Sequence, residues 1–412
     1  MKTTITLIIS ALVLMTSQLH AVEIPVTNAE EFNTAWLSYS ADDVIVLGEG
    51  TYAALGDKTI DRTVTIKAAP GLATKPILQG VQFMIKGICS FSVEGVEIYF
   101  DEPAAASPQG KYFVQAVDAS ALTGTIPLIS IKSSVIHGFG RGLIRADNGT
   151  NIATITSLVI DDCYIYDMGR NSVGYSTIGV KTAKLTNATI TNTTFYDSPN
   201  GTWNSEQTAA PVNLLMENCT LIKTTTAGSK LVITNKANPG SVYTIRNCII
   251  ADSQDASTDR MQIKLADVAD DATVTGNLEN SILMGFKDPK VFGPLAVNTE
   301  IATTSITYDI SKWEITTDPV TTASVGDPRW KVNGFTTLIN PVNSKTYVYA
   351  ESGMLHLNRL TGNARVEVYN LSGNLLHAVS TANESVSLPL NDRTAIVRVV
   401  ADQETLVFKV IQ

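Results

Sequence analysis

Charged residues make up only 17% of the 412-residue chain, and there are 4 Cys, 4 His and 4 Trp. So low a charge content, beside 44% hydrophobic residues, excludes a disordered polyelectrolyte. After Ala21 no apolar run approaches the length of a membrane span, so no transmembrane segment is expected in the mature chain. Zinc-ligand spacing, a phosphate-binding glycine loop and a nucleophile elbow are all missing. The formal net charge of −9 argues against generic nucleic-acid binding.

What the chain does have is Thr, Ser, Asn, Val and Ile in abundance, a composition for strands and turns. Residues 1–21 read as a signal peptide. Lys2 gives the positive start, Ile5 to Leu14 the apolar stretch, and Leu19-His20-Ala21 the cleavage site. A secreted or cell-surface protein is expected.

Seven segments then align without gaps. They begin at Val93, Ile131, Ile160, Ile190, Met216, Ile245 and Leu278. Their fourth residues, Val96, Ser134, Cys163, Thr193, Cys219, Cys248 and Ser281, lie 38, 29, 30, 26, 29 and 33 residues apart. Short β segments repeating at this period, with no helical pattern between them, predict the coils of a right-handed parallel β-helix, an all-β fold. The third residues are Gly95, Ser133, Asp162, Asn192, Asn218, Asn247 and Asn280, the types that tolerate a left-handed bend. The fourth residues should face inward, which makes Cys163, Cys219 and Cys248 buried free thiols. The second residues, Glu94, Lys132, Asp161, Thr191, Glu217, Arg246 and Glu279, form an exterior column of mixed charge. The seventh residues line up Tyr99, His137, Tyr166 and Tyr196 on an outer face, where rings can stack on sugars or cover strands.

The expected organisation is a signal peptide (1–21), an N-terminal cap (22–59), β-helix coils (60–310), a linker or end of the helix (311–340) and a small β-sandwich (341–412). In the cap, Thr27-Asn-Ala-Glu30 reads as a capping box opening a short helix through Phe32, Ala35, Trp36 and Leu37. Such a helix would cover the open end of the strand stack. The sandwich is read from alternation in Ala364–Tyr369 and Ala395–Val400.

Basic groups gather in the centre: 14 against 15 acidic between 130 and 290, compared with 6 against 13 between 22 and 129. Alternation within Leu143–Ala146, Ile178–Thr182 and Ile263–Ala266 turns Arg145, Lys181 and Lys264 outward on one sheet. Arg141 and Arg170 adjoin them in turns. These cations suit an acidic polysaccharide. Tyr166 and Trp203 are candidates for substrate contact beside them, and His137 is the candidate imidazole base. Asp147, Asp161 and Asp162 make no convincing oxygen cage for a metal. Asp197 and Glu206 are the loop carboxylates a glycosidase would need.

The opening, from its helix through Val44–Tyr52, Ile66–Gly71 and Pro76-Ile-Leu, resembles secreted pectate-lyase-like and chondroitinase-B-like β-helices. The run Gly140–Arg145, the coils and Gly326-Asp-Pro-Arg-Trp330 resemble a Bacteroidetes group of β-helix proteins of unassigned activity. The last residues, with Val368–Gly373 and Val397 to Lys409, are similar to C-terminal sorting domains of the type IX secretion route. The resemblance implies a substrate groove on the sheet carrying Arg145, and passage through an outer-membrane secretion machinery. It also implies β-elimination from a uronate, with Lys181 or Arg145 as base and Ca²⁺ or further Arg stabilising charge. A monomer is expected. A non-catalytic surface glycan-binding protein and a structural β-helix protein remain open alternatives.

Overall fold

The computed structural model describes residues 21–101, 110–116, 124–146, 153–169, 176–180, 183–205, 210–224, 233–235, 239–253, 261–264, 274–285, 290–292, 300–302, 306–316, 325–332, 335–336, 347–351, 354–358, 360, 363–370, 374–383, 385–390, 394–401 and 404–411. Three parallel sheets of ten, nine and ten strands run the length of a β-helix. Each coil crosses them in a fixed order. Thr125–Lys132, for example, lies in the first sheet, Val135–His137 in the second and Gly142–Ala146 in the third. Within these three sheets, parallel pairing runs from Glu23–Val26 to Glu300–Ala302. Strands of all three sheets therefore occur before residue 60. Among the described residues no helix is long and apolar enough to cross a membrane.

The bend between the first and second sheets follows the aligned third residues. Gly95, Ser133, Asp162, Asn192, Asn218, Asn247 and Asn280 all have φ between 42° and 73°. Their side chains stack where the sequence predicts it. Asn218 Nδ2 donates to Asn192 Oδ1 at 3.4 Å, and Asn280 Nδ2 to Asn247 Oδ1 at 2.8 Å. A second left-handed column follows the second sheet, at Gly138, Asp167, Asp197, Lys223, Asp252 and Gly285. The alignment stopped one residue short of it.

The fourth residues are all buried, and the four cysteines are free thiols. Their small polar character has a bonding reason. Within a coil, Ser134 Oγ, Thr193 Oγ1 and Ser281 Oγ donate to the carbonyl two residues back, at 2.6–2.8 Å. Between coils, the same oxygens accept the N–H of Val96, Cys163 and Cys248 at 3.1–3.3 Å. A buried N–H that no strand partner reaches is satisfied by the next coil's hydroxyl. Thr193→Val keeps the shape but leaves the Cys163 N–H bare. It is expected to cost about 1–3 kcal/mol in chemical denaturation, whereas Thr193→Ser should cost far less. In the charged column, Arg246 binds Glu217 through two bonds of 2.8 and 3.0 Å.

The N-terminal helix runs Ala29–Ser38, and its cap is Asn28 rather than Thr27. Asn28 Oδ1 accepts from the Glu31 N–H, and Glu31 reaches back to the Thr27 N–H at 2.7 Å. Phe32, Ala35 and Trp36 are buried, with Trp36 against Phe83 at 5.6 Å between ring centroids. Leu37 points away at 85% exposure, which corrects its expected place on the inner face.

Residues 306–316 and 325–332 lie against the outer side of the second sheet. A satellite core joins Ile222, Ile249, Ala251, Ile282 and Met284 to Ile306, Ile315, Val325 and Trp330. The anchor is Gly326–Trp330. Asp327 is 1% exposed and accepts from Thr194 Oγ1 at 2.6 Å, while its N–H donates to Thr220 Oγ1 at 2.8 Å. Arg329 pairs with Asp327 and donates to the carbonyls of Asn192, at 2.8 Å, and Cys163. Gly326 is required here, because a Cβ would meet Ile249 Cδ1 and Thr220 Oγ1 at 2.7 Å. Seven strands between Tyr347–Glu351 and Glu404–Ile411 form separate antiparallel sheets of three and four strands around their own core, including Leu355, Val366, Val368, Val397 and Val399.

Candidate functional site

Along the third sheet, Phe83, Val114, Ile144, Ile178, Trp203, Ile233 and Ile263 occupy paired, buried positions. One residue further, register sets a second row of Thr59, Met84, Gln115, Arg145, Gly179, Asn204, Thr234 and Lys264, at least partly exposed from Thr59 to Asn204. Arg145 and Lys264 thus share one row, four strand steps apart. At about 4.8 Å per step that is roughly 19 Å. Of Lys264 only the backbone is described, and Lys181 and Arg170 lie outside the described residues, as do Asp147 and Glu206.

Arg145 has company. Its guanidinium carbon lies 5.6 Å from the Tyr112 ring centroid, and that of Arg141 lies 5.9 Å from the same ring. Tyr112 is itself 3% exposed, a rigid base for both cations. On one flank, Gln115 accepts from Gln82 Nε2 at 3.1 Å. On the other is Gly179, where a side chain would meet nothing nearer than the Ile144 carbonyl at 3.9 Å. Among the described residues, no side chain stands on the sheet at this position beside Arg145. Lys111 pairs with Asp57 at 2.7 Å, and its carbonyl accepts the Arg141 N–H. Together these place cations, amides and a bare backbone strip on one face.

Trp203 is not part of that face. It is fully buried at an inward position between Ile178 and Ile233, so its expected substrate contact is overturned. Strand alternation explains this: within Trp203–Ser205 it is Asn204 that points out.

His137 and Tyr166 belong to the second sheet, not to the row of Arg145. The His137 ring is clamped between Tyr99, at 5.2 Å and 10°, and Tyr166, at 4.4 Å and 9°. Its Nε2 lies 3.2 Å from Glu97 Oε1. Because the rings lie face to face along the stack, each covers its neighbour's face, and little flat surface is left for a sugar. Further along, Tyr196 meets Tyr308 of the returning segment at 6.1 Å. Burial pushes the Tyr166 hydroxyl up to about 12. The fit is that of a structural column.

Two lysines outside the expected set have ammonium groups pushed down by burial, Lys58 and Lys75. Lys58 donates to the Leu55 carbonyl in the third-sheet region, and Lys75 to the Ser133 carbonyl at the first bend. Neither carries a sequence pattern that distinguishes it, since burial of a long side chain depends on the coil beside it.

A calcium ion does not fit the acidic groups near the first bend. Asp161 Oδ1 accepts from Thr191 Oγ1 at 2.6 Å and Asn192 Nδ2 at 2.9 Å. Asp162 is a bend residue with Arg329 at 4.0 Å. Among the described residues no three His, Cys, Asp or Glu converge as a metal site.

No family model and no curated protein matches the chain. Six chains of solved structures do. One is the PL6-family alginate lyase AlyGC, with a TM-score of 0.38 and 15% identity over 70% of this chain and 39% of that one. Another is a PL6 alginate lyase complexed with a trisaccharide, with a TM-score of 0.29 and 12% identity over 70% of this chain and 61% of that one. The chain spans less than two thirds of the length of either. Likeness at this level carries no argument about activity, and the β-helix rests on the chain's own strand pairing.

Proposed function

We propose that the protein is a secreted or outer-surface polysaccharide-active β-helix that holds an acidic, uronate-containing chain along its third sheet and cleaves it by β-elimination. The observation that carries this reading is the convergence of Arg141 and Arg145 on the Tyr112 ring, beside Gly179 in the neighbouring strand. Two guanidinium groups gathered on one rigid base suit a carboxylate. Their charge would also stabilise the carbanion-like state that forms when the proton next to that carboxylate is removed. In the elimination, a base takes the C5 proton and its electron pair becomes the C4=C5 double bond. The C4–O bond breaks, and the departing oxygen takes a proton. Lys181 and Arg145 are the candidates for base and proton donor, Lys264 and Arg170 for further contacts along the chain. No step is routed through Ca²⁺.

On the same reading, the antiparallel C-terminal residues serve as a sorting module for a type IX secretion machinery of the Bacteroidetes kind, and the protein acts as a monomer. The test is to incubate the purified protein with a panel of acidic polysaccharides, with and without Ca²⁺, and follow the ultraviolet absorbance of unsaturated uronate. New absorbance with any of them supports cleavage. Saturable binding without product makes the protein a glycan binder. The absence of both binding and product rejects the reading.

A further inference from the structure

At the N-terminal edge of the first sheet, a buried carboxylate faces a backbone nitrogen. Glu23–Val26 is the outermost strand and pairs in parallel with Asp43–Leu47. Just before it, the Val22 N–H donates to Asp43 Oδ1 at 3.1 Å, and the Val22 carbonyl accepts from the Val44 N–H at 2.9 Å. Asp43 is 6% exposed, and its other oxygen accepts from the Ser40 N–H at 2.7 Å. A neutral Asn or Ser could accept the Val22 N–H as well. A full negative charge in so enclosed a place is better matched by a cation. The leader pattern supplies one, because Leu19-His20-Ala21 ends at the residue before Val22.

We propose that Val22 is the mature N-terminus and that Asp43 is the receptor for its α-ammonium group. The inference rests on the leader reading and is independent of the polysaccharide. Hydrolysis of the Ala21–Val22 bond by a leader peptidase consumes one water. Its oxygen joins the Ala21 carbonyl carbon, the C–N bond breaks, Ala21 departs as a carboxylate, and the Val22 nitrogen becomes an ammonium. The nitrogen already lies at bonding distance, so the neutral bond becomes an ion pair without moving the strand. Processing then fastens the edge strand of the cap.

The other charged groups at this corner are engaged elsewhere. Glu23 pairs with Lys67 at 2.6 Å, and Arg62 with Asp61 at 2.8 Å. Arg62 also donates to the Tyr39 carbonyl at the end of the helix, and Asp42 adjoins Asp43 in the turn. Tyr39 is pushed up to about 12 by burial and stays neutral across the relevant range. An unpaired α-amine titrates near about pH 8. Pairing with Asp43 raises that value in the folded state. The added stability is therefore full below about pH 8 and is lost as pH rises through the raised value.

The test uses the exported protein and four prepared forms: the chain beginning at Val22, the same chain N-acetylated, and the Asp43→Asn variant of each. Terminal sequencing of the exported protein should return Val22. The free-amine form should melt about 2–4 °C above the acetylated form at neutral pH, with the gap closing at alkaline pH and absent in the Asp43→Asn background. An exported chain with a different first residue overturns the proposal. So do identical melting profiles for the free and acetylated forms, a comparison that holds even if Asp43→Asn fails to fold.

Discussion

Arg329→Ala lowers the stability of the β-helix by about 3–5 kcal/mol, the largest single loss expected outside the hydrophobic core. Asp327 is 1% exposed at its side chain, and Arg329 is 19% exposed. Burial drives the Asp327 carboxyl upward, and Arg329 is the main influence opposing it. Removing the guanidinium leaves a buried carboxylate with only the Thr194 hydroxyl and nearby N–H groups to solvate it. It also frees two carbonyls, of Cys163 and Asn192, that belong to different coils. Arg329→Lys keeps the charge but not the fork, and should recover only part of the loss. In a double-mutant cycle with Asp327→Asn, the paired variant should lose less than the sum of the two single variants. Denaturant midpoints measure all of these. A change in Arg329→Ala no larger than that of a surface substitution would show that the returning segment is not an integral part of the coils.

The second large effect concerns turnover. Substituting the base with Ala should lower kcat by about 10²–10⁴-fold with binding largely retained, since a base acts chiefly in the transition state. Of Lys181→Ala and Arg145→Ala, one should behave this way. The other should weaken binding at low salt, with a loss that shrinks as salt screens exposed charge beyond about 8 Å. Arg145 is the better candidate for binding, because it shares the Tyr112 ring with Arg141. Measuring kcat and KM separately, each at two ionic strengths, distinguishes the roles. A Lys181→Ala/Arg145→Ala double variant that binds and cleaves like the parent would remove the third sheet as the groove.

The coils were legible because their requirements are local and repeated. A left-handed bend admits few residue types, so Gly95 through Asn280 mark it in seven successive coils, and the buried fourth residues follow in step. Alternation between inward neighbours likewise places Arg145, Lys181 and Lys264 on one sheet; the described backbone puts Arg145 and Lys264 there, and Lys181 lies outside the described residues. Trp203, expected at the substrate, lies in a short strand whose alternation turns it inward. His137 was grouped with the cations through its closeness in sequence to Arg141, although a turn intervenes and carries the chain to another sheet. The returning segment has no repeat of its own. Its trace lay in the coils instead, where outward residues change from Glu97, Val135 and His137 to Ile222, Ile249 and Ile282. A sheet apolar on both faces announces a cover before the cover is found.

The bond from Arg329 to the Cys163 carbonyl spans 166 residues of chain, and that from Trp330 Nε1 to Thr194 Oγ1 spans 136. Coil-to-coil pairing closes much shorter loops and can proceed as soon as the next coil exists. Synthesis is N-terminus first, so the middle coils can be stacked long before their fastening emerges. During that interval Ile222, Ile249, Ile282 and Met284 form an uncovered apolar stripe. The slow, long-range step is therefore a final docking onto a preassembled stack, and partly made chains are sticky on that one side. Timing, and not only contact energy, is written into the distance between Asn192 and Arg329.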